Sequence, residues 1–193
     1  MKEQPTTHPH RSRLSVVGKM TALLTGGLGI YYLVSEIWLW HLYRSDMVQG
    51  ILSSFSDAIP RLLNVDFHLS TLAVALLFVC DALPVFMTAL ALMLIGLFFL
   101  RLSRNELWTR RNVRLLWVAG ILNVLTPIVN SLSSTFQGLA ISLDLPAGER
   151  LFQLTLGLST DSLYEMVTGV VLCAFAYMIR ESTKIHEENA LYI

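Results

Sequence analysis

Four long apolar stretches divide this sequence, at about Met20–His41, Thr71–Leu100, Leu115–Leu139 and Ser162–Ile179. As a helix rising ~1.5 Å per residue, each is about long enough to cross the ~30 Å hydrocarbon core of a bilayer. A soluble domain of this length needs more charge than the 15% present here to solvate its surface, and the 54% of hydrophobic residues sit in blocks. The expected fold class is therefore all-α, an integral membrane four-helix bundle. An N-terminal signal peptide fits poorly, because the first stretch is too long, contains Glu36 and ends without an Ala-x-Ala-like site.

The zero net charge conceals an asymmetry. Lys2, Arg11, Arg13 and Lys19 precede the first stretch, while Arg101, Arg104, Arg110, Arg111 and Arg114 fall between the second and third. Arg180 and Lys184 follow the fourth, and the other two connections hold only Arg44, Arg61 and Arg150. Eleven cations thus lie on one side and three on the other. The positive-inside rule then gives an N-in/C-in layout. It divides the chain into a basic cytoplasmic leader (1–19), a four-span domain (20–179) and a cytoplasmic tail (180–193). Residues 1–13, polar and with Pro5 and Pro9, read as disordered.

The first outer connection has a pattern of its own. Met47, Ile51, Phe55, Ile59 and Leu62 recur every three or four residues with polar residues between them. This spacing predicts an amphipathic outer-loop helix ending near Pro60, lying on the bilayer face or over the mouth of the bundle. In the middle loop, Trp108 flanked by Arg104, Arg110, Arg111 and Arg114 reads as a membrane-interface anchor. Five arginines facing an anionic leaflet need no nucleic acid to explain them, and no direct nucleic-acid contact is expected.

Polar and small residues inside the spans also follow helical periods. The stripes are Thr25, Gly29, Tyr32 and Glu36; Asp81, Pro84 and Thr88; Gly120, Asn123, Pro127, Asn130 and Ser134; and Ser162, Glu165, Gly169 and Cys173. Small and polar faces of this kind are expected to turn inward, with Pro84 and Pro127 kinking their helices. Depth places Glu36, Asp81, Asn130 and Glu165 in the outer half, converging on one another. An ionised carboxylate at mid-membrane costs at least ~2.5–3.5 kcal/mol, so the acids should be protonated, mutually hydrogen-bonded or wetted. One reading is a hydrogen-bond cluster that fixes helix register. The other is a polar cavity that binds a proton, a cation or a small cationic ligand.

Catalytic motifs are not evident: there is no His-Glu-x-x-His, no Gly-x-Ser-x-Gly and no phosphate loop. Cys80 and Cys173 lie inside spans and read as packing residues. No enzyme activity, cofactor or metal is expected.

Two segments resemble a family of bacterial membrane proteins catalogued as domain of unknown function 2975. They are Leu107–Leu116, leading into the third span, and the acidic ending Ile185–Ile193 with Glu187, Glu188 and Asn189. The four-span N-in layout is similar as well. Trp108 stands where members often have Phe, and Tyr192 where Thr is common. The resemblance implies a location in the bacterial inner membrane and a small cytoplasmic helix-turn-helix regulator as partner. For such a partner the tail offers acidic Glu187 and Glu188 and an apolar tip of Leu191, Tyr192 and Ile193.

The resulting expectation is a non-enzymatic sensor or regulator that tethers or tunes a DNA-binding protein and is able to self-associate. The alternative is a small cation- or proton-linked transporter or channel using the same intramembrane carboxylates.

Overall fold

A computed structural model describes residues 9–63, 67–104, 109–146, 148, 157 and 159–189. Among these residues the fold is all-helical: α1 (Pro9–Leu42), α2 (Arg44–Ser54), α3 (Thr71–Leu102), α4 (Arg110–Ser142) and α5 (Thr160–Asn189), with a 3₁₀ turn at Pro60–Leu63. Four of the helices, α1, α3, α4 and α5, are long and apolar enough to cross a membrane.

The helix limits have local causes. Ser70 caps α3 by accepting from the Ala73 amide, and Thr109 caps α4 by accepting from the Asn112 amide. These bonds satisfy backbone donors that a helix start leaves open. Pro9 opens α1, where a missing N–H costs nothing. The helix thereby reaches into the leader expected to be disordered, and residues 1–8 lie outside the described residues. Helix α4 likewise begins within the expected middle loop, so Arg110, Arg111 and Arg114 are helical. Both prolines lie inside continuous helices. Beside Pro84 the Thr88 hydroxyl donates to its carbonyl at 3.1 Å, and beside Pro127 the Asn123 amide donates to Ala119 O at 2.9 Å.

The long helices pack in chain order: α1 on α3, α3 on α4 and α4 on α5, each antiparallel to the one before. Helices α1 and α5 form no comparable seam, so the bundle is open between them. Burial follows: 11% of the apolar window is buried in each of α1 and α5, against 28% in α3 and α4. Apolar side chains such as Leu23, Leu24, Trp38, Tyr164, Val167 and Phe175 face outward, as they do toward lipid.

Close seams need small residues. A Cβ added at Gly120 would meet Cys173 Sγ at 2.6 Å and the Gly169 carbonyl at 2.8 Å. One added at Gly29 would meet the Ala89 carbonyl at 2.8 Å. Backbone therefore lies on backbone at both crossings. Of the expected α1 stripe, Gly29 and Glu36 lie in the seam, whereas Tyr32 is exposed and Trp40, outside the stripe, is buried.

Helix α2 covers one end of the bundle. Met47, Ile51, Phe55, Ile59 and Leu62, the expected apolar face, pack with Trp40, Leu77, Ala140 and Ile141. The helix ends at Ser54, earlier than the sequence pattern implied. Ser53 and Ser54 hydroxyls turn back to the Gly50 carbonyl, and Ser56 bonds the Ser53 carbonyl. Such bonds compete with continued helix. Near the same end the Ser70 amide donates to Asp144 Oδ2 at 2.7 Å, joining the start of α3 to the turn after α4.

Candidate functional site

Glu36 and Asp81 lie on the α1–α3 seam within electrostatic reach of one another, and both reach the Trp40 indole. Because α1 and α3 are antiparallel, Glu36 near the end of one helix reaches the level of Asp81, ten residues into the other. Trp40, one turn beyond Glu36, shares its face. Its indole N–H donates to Asp81 Oδ2 at 2.9 Å. Phe78, one turn before Asp81, packs edge-on against the indole, with centroids 5.3 Å apart at 73°. The aromatic pair fixes the donor, and the donor fixes the Asp81 carboxyl.

Glu36 is less well provided for. It is only 8% exposed, and its Oε1 is buried without a hydrogen-bond partner among the described residues. Asp81 lies within electrostatic reach of it, and the Trp40 indole approaches it as well. A buried polar atom of this kind costs free energy until something satisfies it. The two carboxyls therefore share one seam and one indole, with a buried Glu36 oxygen that no described residue satisfies.

The other expected members lie elsewhere. Asn130 is exposed on α4. Glu165 is half-buried on α5, which packs on α4 and forms no comparable seam with α1. The expected convergence of four polar groups is therefore corrected to a pair from α1 and α3. An open bundle brings only sequence-adjacent spans together, so a fourth-span acid has no route to a first-span one. The residue missing from the expectation is Trp40. Its signal was the four-residue spacing from Glu36, masked because tryptophans near span ends usually mark the interface.

At the opposite end of the bundle the basic residues gather. Arg104 is exposed in the turn after α3, and Arg110, Arg111 and Arg114 are exposed on the first turns of α4. Trp108, Leu191, Tyr192 and Ile193 lie outside the described residues. Glu187 and Glu188 belong to the last turn of α5, which runs unbroken from the fourth span to Asn189. No group of three or more His, Cys, Asp or Glu suited to a metal ion occurs among the described residues.

Length, apolarity and antiparallel packing of the long helices are the pattern of a multi-pass α-helical membrane protein. No protein-family model, curated protein or solved structure matches the chain.

Proposed function

We propose that this protein is a non-enzymatic membrane sensor whose Glu36–Asp81 pair responds to a proton or a monovalent cation. The observation that carries the reading is the buried Glu36 Oε1, without a hydrogen-bond partner among the described residues and within electrostatic reach of Asp81. Two bare charges at that depth are costly, and a single positive charge shared between them relieves both. Loss of that charge loosens the α1–α3 seam, and the shift in α1 is the signal. The excess of cations at the Lys19, Arg101 and Arg180 end supports an N-in/C-in layout in the bacterial inner membrane, with Glu36 and Asp81 toward the outer face. The readout is a cytoplasmic DNA-binding regulator held by Glu187, Glu188, Leu191, Tyr192 and Ile193, the role implied by the family resemblance.

The test uses full-length protein in proteoliposomes and in detergent. Its thermal midpoint should change with pH or with added sodium or potassium, and Asp81→Asn should flatten that dependence. Asparagine keeps a carbonyl for the Trp40 indole, so the fold survives while the charge is lost. No steady ion flux is expected. Flux that disappears in Asp81→Asn would instead establish transport, and a midpoint indifferent to pH and cations in the wild type would end the reading.

A further inference from the structure

The basic end of the α4–α5 seam carries a second, unrelated site. Between the first turns of α4 and the last turns of α5 lies a cavity of about 510 Å³. Arg110 and Arg114 line it from α4, and Arg180 and Lys184 from α5. Lys184 pairs with Glu181 at 2.8 Å, and among the residues whose side chains are described, which leaves out Glu106, Glu187 and Glu188, no acid pairs with the three arginines.

This arrangement works chiefly against α4. Arg110 and Arg114 are four residues apart, as are Arg180 and Lys184, so like charges stack along each helix face. Helix α4 has no acid in its first turn, and its cations face the positive end of the macrodipole. An anion between the two helices relieves these repulsions together, where the Glu181–Lys184 pair reaches only one of the four cations. Guanidinium forks arriving from two sides suit phosphate oxygens in particular.

The rest of the lining selects the carrier of that phosphate. Val113, Trp117, Ala176 and Tyr177 continue the cavity along the spans. Trp117 is 50% exposed and Tyr177 59%, so the apolar side opens laterally onto the outward surface of α4 and α5. A dissolved anion has no use for that apolar lane, whereas an acyl chain does.

We propose that the groove between α4 and α5 binds an anionic phospholipid, its phosphate held by Arg110, Arg114, Arg180 and Lys184 and its chains lying against Trp117 and Tyr177. This site is independent of the Glu36–Asp81 pair and of which face of the membrane it occupies.

Native mass spectrometry and thermal unfolding of the full chain in neutral detergent test the proposal. Phosphatidylglycerol should remain bound and raise the midpoint by several degrees, while phosphatidylcholine and inorganic phosphate should not. Retention should fall at least tenfold in Arg114→Gln/Arg180→Gln and stay unchanged in Arg44→Gln, a charge lost at the far end. Equal stabilisation by phosphatidylcholine, or equal retention by the double variant, overturns the proposal. Stabilisation by inorganic phosphate matching that of the lipid overturns it too, showing an ion site without a lipid. Should the double variant not fold, brominated lipids decide on the wild type. Quenching by brominated phosphatidylglycerol must exceed that by brominated phosphatidylcholine, and the excess must vanish in Trp117→Phe; equal quenching by the two lipids rejects the site.

Discussion

At the scale of single residues, Trp40 connects packing to the polar site. Its ring packs on Phe78 and its N–H on Asp81, so one side chain serves the seam and orients the carboxyl. Trp40→Phe keeps most of the apolar contact and removes the donor. It should cost about 1–3 kcal/mol, the usual penalty for a polar group left without its partner, read as a lower midpoint in detergent. Asp81→Asn should cost less, because its carbonyl still accepts from the indole. The reverse order of the two variants would show that the indole–carboxyl bond is not what holds the seam. The two residues the sequence marked most openly, Glu36 and Asp81, lie on one seam around the Trp40 indole. Their neighbours in that expectation do not, because a polar stripe gives the phase of a helix and not the identity of the helix it faces. Asn130 is the plain case, since it lies in phase with Gly120 and Pro127 yet is exposed.

At the scale of elements, the decisive contacts are backbone crossings at small residues. Gly120→Ala places a methyl group where Cys173 Sγ and the Gly169 carbonyl already stand, so α4 and α5 must separate. The expected loss is about 1–3 kcal/mol, as for other overpacked interiors. In a Cys80→Ser background the separation should also speed maleimide labelling of Cys173, whose thiol lies 3.8 Å from the Trp117 carbonyl in the closed seam. Unchanged labelling and midpoint would mean that the crossing has slack. Helix existence was legible because apolar length is a direct physical requirement of a bilayer. The face of α2 was legible in part, through the spacing of Met47 and Ile51, but the pattern left out Leu52, its buried residue. Its early end was not, since the serine-to-carbonyl bonds that stop it depend on local geometry as much as on residue type.

For the whole molecule, charge asymmetry makes a prediction of orientation. Ser159→Cys in a Cys80→Ser/Cys173→Ser background should react with an impermeant maleimide added outside intact cells, because Ser159 lies at the end opposite the arginine cluster. Labelling only after permeabilisation would reverse the layout and move the carboxyl pair to the inner half. The arginines were legible as a topology signal, but their meeting across α4 and α5 was not. Arg110 and Arg180 are seventy positions apart in sequence, and only the antiparallel seam makes them neighbours.

Packing that follows chain order has a consequence for biogenesis. Every seam joins spans that leave the ribosome one after the other, so no early helix has to wait for a late one. The Glu36–Asp81–Trp40 unit is complete in the nascent chain once Leu102 has emerged, before the second hairpin exists. A first hairpin released early still brings its acids in together with the indole that shields one of them.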